Sequence, residues 1–174
     1  MPNNPVAVTR ADVVRRAQSM IGKGVYKLSK GGRVPSNLTP LVDGQCDCSG
    51  FVAWCLGVDR YQPGKVAGGD WIETSAVAYD AVHFGSLFSQ VWKDHLHQPG
   101  DLIVYGDSSR MVQGKKRTAQ GHIGVVETVD ANGRAEMVID CASGRGLKAV
   151  GRRPASFFFA RGAIVARFKG LAES

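Results

Sequence analysis

The texture of the chain changes at Pro99-Gly100-Asp101, and that change constrains the fold more than any other feature. Before it, apolar residues recur at helical spacing. Thr9 and Asp12 read as a capping-box helix start, Val13, Ala17, Met20 and Ile21 follow on one face, and Gly22 closes the helix. Asp47–Leu56 reads as a second helix with Gly57 as its stop, and Phe51, Val52, Cys55 and Leu56 form its apolar face. A third starts near Asp70, where Glu73 completes a capping-box spacing, and carries Ile72, Ala76, Tyr79 and Val82 or His83. Beyond Asp101, the segments Leu102–Tyr105, His122–Val129, Glu136–Asp140 and Ala163–Phe168 are short, β-branched and bounded by turn residues, so they read as strands. Asp130-Ala131-Asn132-Gly133 is a hairpin connection between the second and third of these. Helices first and strands later predict an α+β fold, with N-terminal helices packed on a central antiparallel sheet. The stretch from Gly22 to Gln45 is long for a connection and reads as a functional loop. Phe157-Phe158-Phe159 reads as part strand and part core.

At 174 residues the chain is expected to be one catalytic domain over 1–174. Hydrophobic residues at 44% and charged residues at 21% exclude intrinsic disorder and collagen-like repeats. The longest strongly apolar run, Phe51–Leu56, is far short of the ~20 residues of a spanning helix, so no membrane partner is expected. Met-Pro-Asn-Asn-Pro opens the chain without an apolar region of the signal-peptide kind, which predicts synthesis in the cytoplasm. Net charge is +7. The excess collects in Arg145, Lys148, Arg152, Arg153, Arg161, Arg167 and Lys169, and again between Arg110 and Arg117. Two readings stand: an anionic partner, whether wall polymer, lipid or nucleic acid, or a basic surface that serves solubility.

Asp47-Cys48-Ser49-Gly50 opens the second helix. Asp47 is a good N-cap, which places Cys48 beside unpaired backbone N–H groups at the positive end of the helix. That setting is expected to lower the thiol pKa and favour the attacking thiolate. Ser49 and Gly50 are small enough to let a substrate approach. The alternative is that Cys48 is a small buried residue, as free cysteines often are. His122 starts a strand within Gly121-His122-Ile123-Gly124, and histidine titrates where a nucleophile's base must. His83, His95 and His97 read as surface or packing residues. Asp140 ends the strand paired by hairpin with that of His122, where it can orient the imidazole or simply serve a turn.

In that order, Tyr26, Asp47-Cys48-Ser49-Gly50-Phe51-Val52, Pro99-Gly100-Asp101-Leu102-Ile103, His122-Ile123-Gly124-Val125-Val126 and Val138-Ile139-Asp140 resemble the NlpC family of papain-like cysteine peptidases. Those enzymes cut peptidoglycan stem peptides, typically between D-glutamate and the following diamino acid. The resemblance implies an NlpC-type fold, with Cys48 as nucleophile, His122 as general base and Asp140 at the polar third position, more often histidine, asparagine or glutamine in the family. It implies that Tyr26 lies near the nucleophile and, with Ser49, serves the oxyanion and substrate. Two stretches are longer than the family leads one to expect, Tyr26 to Cys48 and Asp101 to His122. The expected partner is a peptidoglycan stem peptide, with no nucleic acid and no metal or organic cofactor, and the protein is expected to be a monomer.

Cys46, Cys48, Cys55 and Cys141 do not repeat the paired spacing of a structural zinc site. Cys55 reads as core, and Cys46 and Cys141 read as flanking the active site, with a disulfide between them conceivable in an oxidising compartment. Trp54, Trp71 and Trp92 are candidates for a sugar or peptide groove, Trp54 more as core. A wall enzyme without a leader needs another route, through a contact-dependent secretion machine as an effector toxin or through phage lysis. The toxin reading calls for an immunity protein with an acidic face. Competing readings are an acyltransferase, deamidase or lipid-acyl hydrolase on the same Cys–His pair, and a non-catalytic basic binding module for wall polymer or nucleic acid.

Overall fold

The structure, a computed structural model, describes residues 8–32, 44–92, 94–113 and 115–172. Three helices precede most of the strands: α1 (Arg10–Ser19), α2 (Cys48–Leu56) and α3 (Thr74–His83). Two short strands, β1 (Val25–Tyr26) and β2 (Gln45–Cys46), pair in parallel between α1 and α2. The strands that follow are β3 (Phe88–Val91), β4 (Leu102–Tyr105), β5 (Ser108–Val112), β6 (Lys115–Ala119), β7 (His122–Val129), β8 (Ala135–Cys141), β9 (Val150–Pro154) and β10 (Ile164–Phe168). One helical turn, α4 (Ser156–Phe159), lies between the last two.

Six strands form an antiparallel sheet in the order β3-β10-β4-β7-β8-β9, and β5 and β6 make a separate hairpin. The protein is therefore a mixed α+β chain with a central antiparallel sheet and few helices. The sheet is buried on both faces, which explains why its central strands are nearly continuous apolar runs rather than alternating ones. Leu102, Val104, Ile123, Val125, Ile139 and Ala166 enter the core shared with the three large helices. Their neighbours Ile103, Val126, Val138 and Val165 enter a second, smaller core on the other face, closed by Ala155 and Phe158.

Helix α2 is the centre of the molecule, and every one of its residues is buried. It packs on β7 and β8, the strands that carry His122 and Asp140. Gly50 is required by close approach: a Cβ there would collide with the carbonyl of Lys30, and the N–H of Gly32, two residues on, donates to the Gly50 carbonyl at 2.8 Å.

Several boundaries differ from the sequence expectations. The third helix begins at Thr74 rather than near Asp70, because Glu73 is its N-cap and its carboxylate accepts the N–H groups of Ser75 and Ala76. Asp70 instead accepts from the backbone N–H of Gly64. Phe157-Phe158-Phe159 is helical and not strand: the N–H of Phe159 bonds to the carbonyl of Ala155, and that turn drops Phe158 into the second core. The expected long loop contains β1 and β2 at its ends, and its residues 33–43 lie outside the described ones. Strands β3 and β9 were not legible because they are sheet edges of mixed burial, and Pro154 closes β9 where no ladder donor is needed.

Candidate active site

Asp47 caps α2 with one carboxylate oxygen and anchors three other groups with both. Its Oδ1 accepts from the Gly50 N–H at 2.8 Å and the Ser49 hydroxyl at 3.2 Å. Its Oδ2 accepts from the Ser29 N–H at 2.7 Å and Arg60 Nη2 at 2.8 Å. Arg60 also donates to the Ser49 Oγ at 2.8 Å and to the Lys30 carbonyl at 3.1 Å. Burying a carboxylate is costly without such partners, and here every bond tightens the turn that presents Cys48. The Ser49 hydroxyl is thus engaged by Asp47 and Arg60, while its backbone N–H acts on the Cys48 thiol.

The N–H of Ile123 also acts on that thiol, so Cys48 lies against the start of β7, beside the residue that follows His122. His122 opens β7 opposite Tyr105, the last residue of β4. Its Nε2 is 2.6 Å from Asp140 Oδ2. The ring of Phe158 stacks on the imidazole with centroids 5.4 Å apart and planes inclined by 12°. Gly124 makes the approach of the two strands possible, because a Cβ there would meet Val138, the Ile139 carbonyl and Asp140 itself. With Nε2 on a carboxylate, the neutral ring carries its proton there and leaves Nδ1 as an acceptor.

Asp140 is fully buried and gathers cations from two sides. Arg145 Nη2 lies 2.7 Å from Oδ1, and Arg153 Nε lies 3.2 Å from Oδ2. Arg145, Arg60 and Phe158 were not anticipated from the sequence. None has a periodicity or spacing that points to the site: Arg145 folds back from the turn just after β8, while Arg60 and Phe158 arrive through tertiary packing.

A cleft opens at the thiol, lined among others by Tyr26, Cys48, Arg60, Glu73 and Asp107. Tyr26 reaches it because β1 pairs with β2, setting Tyr26 opposite Cys46. Burial, then the nearby Cys48 and Asp47, push the Tyr26 hydroxyl up to about 12. The expectation of a lowered Cys48 pKa is overturned. Burial, and next the Asp47 carboxylate, push this thiol up to about 12, against the opposing pull of the Ile123 and Ser49 N–H groups and Arg60. The cap that starts the helix is itself an anion beside the sulfur, and only 6% of Cys48 is exposed.

The other cysteines are all buried. Cys46 and Cys141 are free thiols with sulfurs 3.4 Å apart, and Cys55 lies in the core of α2. Among the described residues, no three His, Cys, Asp or Glu side chains are grouped to hold a metal ion. His97 is buried and its Nδ1 accepts from the Ala135 N–H at 3.0 Å, whereas His83 and His95 are exposed. Trp54 is core, while Trp71 and Trp92 are about half exposed or more. Part of the C-terminal basic run is paired with buried acids: Arg152, itself exposed, binds Glu127 at 2.6 Å, and the half-buried Arg167 binds Asp101 at 2.9 Å.

The family model of the CHAP domain matches residues 40–141, more than half of the chain and a span that contains Cys48, His122 and Asp140. CHAP domains are typically amidases or peptidases, related to papain-like cysteine peptidases such as NlpC/P60. No curated protein matches the chain.

Proposed function

Because the chain belongs to the CHAP family, a family of hydrolases that act on peptidoglycan, we propose that it is a cysteine amidase that cuts the stem peptide between D-glutamate and the diamino acid. The observation that carries this reading is the 2.6 Å contact of His122 Nε2 with Asp140, made where β7 meets the Cys48 thiol. Cys48 is the nucleophile, His122 the base and Asp140 the group that holds the imidazole tautomer. A thiol pushed up to about 12 does not ionise by itself at neutral pH, so His122 Nδ1 takes its proton as the sulfur attacks the amide carbon.

The tetrahedral oxyanion is received by the Cys48 N–H and the Tyr26 hydroxyl, with Ser49 shaping the adjacent wall. Collapse of the intermediate breaks the C–N bond, and His122 delivers the proton to the leaving amine. Water then attacks the thioester, giving up a proton to His122, and the acid product leaves with Cys48 restored. The NlpC-type fold belongs to the same proposal, supported by a helix that presents the cysteine to a sheet carrying the histidine.

The test is digestion of purified sacculi by the wild type and by Cys48→Ala, with fragment masses read by mass spectrometry. Hydrolysis products with new amines on the diamino acid are expected from the wild type alone. Products carrying a transferred acyl group would replace the amidase reading by an acyltransferase, and equal products from Cys48→Ala would end it.

A further inference from the structure

Arg145 belongs to the 3₁₀ segment Ser143–Lys148, which follows β8. It donates from Nη1 to the carbonyls of Asp140 at 2.9 Å and Ala149 at 3.1 Å. From Nη2 it donates to the carbonyl of Arg152 at 3.3 Å and to Asp140 Oδ1 at 2.7 Å. Three of these four bonds go to backbone. The guanidinium is therefore set in place by the main chain around it and presents a charged donor to the carboxylate.

The groups that face Asp140 are His122 from β7, Arg145 from the 3₁₀ segment and Arg153 from β9, with Tyr105 of β4 and the adjacent Cys141 nearby. Arg153 is the weaker neighbour: its Nε makes no hydrogen bond among the described residues, and its guanidinium stacks 4.0 Å from the Phe157 ring. The two hydrogen bonds that orient the carboxylate come from Arg145 on Oδ1 and His122 on Oδ2. A carboxylate with one oxygen fixed has only its second oxygen, in one direction, to offer the imidazole.

We propose that Arg145 is a positioning residue for the hydrolytic site: by fixing Asp140 Oδ1 it aims Oδ2 at His122 Nε2 and so holds the imidazole at the start of β7, the strand that the Cys48 thiol lies against. The proposal rests on the Cys–His reading above. Burial pushes the Asp140 carboxyl up, and the His122 and Arg145 hydrogen bonds and charges more than reverse this, so it stays below its ordinary 3.8. Loss of Arg145 removes part of that hold, so the acid limb of reactivity moves to higher pH.

The experiment follows alkylation of Cys48 by iodoacetamide across pH, by peptide mass, beside sacculus hydrolysis. Alkylation needs no substrate, so it separates the two readings. Arg145→Ala is expected to slow alkylation about tenfold, to lower kcat similarly with KM unchanged, and to shift the acid limb upward. Added to Asp140→Asn, Arg145→Ala should change the rate no further, because it acts through the carboxylate. Arg145→Lys keeps the charge and should keep most of the rate while melting as low as Arg145→Ala. If Arg145→Ala does not fold, Arg145→Lys and Arg145→Gln decide: faster alkylation in Arg145→Lys than in Arg145→Gln supports the proposal and equal rates overturn it. Wild-type alkylation by Arg145→Ala at every pH, or an equal slowing in the Asp140→Asn background, also overturns it. A protein inert toward sacculi but showing this alkylation pattern would defeat the amidase reading and uphold the role of Arg145.

Discussion

Cys48 is held by opposing influences: the helix start and two N–H groups favour its thiolate, while burial and the Asp47 cap oppose it and prevail. Its reactivity is therefore tied to a partner base, which gives sharp expectations. Cys48→Ala should abolish turnover with an unchanged circular dichroism spectrum and melting temperature. Cys55→Ser places a hydroxyl in the core against α2, where the side chain is fully buried, and should cost about 1–3 kcal/mol in denaturant unfolding, with kcat retained. The Asp140 series tests orientation. Asp140→Asn still offers an oxygen to His122 Nε2 and should keep part of kcat, Asp140→Ala should lose more, and His122→Ala should lose about 10²–10⁴-fold or beyond. Full activity in Asp140→Ala would move the third member elsewhere. The positions of Cys48 and His122 were legible because capping and glycine spacing are local signals. The sign of the Cys48 shift was not, because it depends on water excluded by residues far away in the chain.

Among the elements, α3 and β3 are joined by a single buried carboxylate. Asp80 accepts from the N–H groups of Ser86 at 3.0 Å, Leu87 at 2.9 Å and Phe88 at 2.8 Å, and so begins the edge strand. Burial pushes its carboxyl up, and these N–H groups outweigh burial, so it stays below the ordinary 3.8. A depressed folded pKa contributes stability that is full above the unfolded value and is lost as pH falls through the folded one. Denaturant melts between pH 7 and 2 should show wild-type stability falling below pH about 4, and Asp80→Asn should be weaker at pH 7 with a shallower acid slope. A second junction ties β2 to β8. With Cys46 and Cys141 sulfurs 3.4 Å apart, oxidised glutathione should take their two hydrogens, forming one S–S bond and two reduced glutathiones. Intact mass should fall by about 2 Da, peptide maps should link these two residues, and Cys48 should remain free. A bridge that included Cys48 would contradict this geometry.

Across the whole molecule, the net charge of +7 already counts the acids, so the internal ion pairs decide where the charge sits and not how large it is. Asp101 receives Arg10 and Arg167, Glu127 receives Arg152, and Asp140 receives Arg145 and Arg153, so these cations complete the fold. The expected site of action is tested by sending the protein to either side of a Gram-negative inner membrane. Lysis is expected with an added export signal, none from the cytoplasm, and none from Cys48→Ala in either place. Equal toxicity from the cytoplasm would point to an intracellular target. By itself the sequence determined the helix that starts at the Thr9–Asp12 cap, the helix that carries Cys48, the α+β order and the strands β4, β7, β8 and β10. Caps, turn residues and runs buried on both faces act over a few residues, and their energies are written locally. Only the tertiary structure decided that Phe158 stacks on His122, that Arg60 binds Asp47, that Cys46 meets Cys141 and that Arg145 turns back onto Asp140. Those contacts are decided by which polar groups a fully packed interior leaves in need of partners, and no periodicity records that.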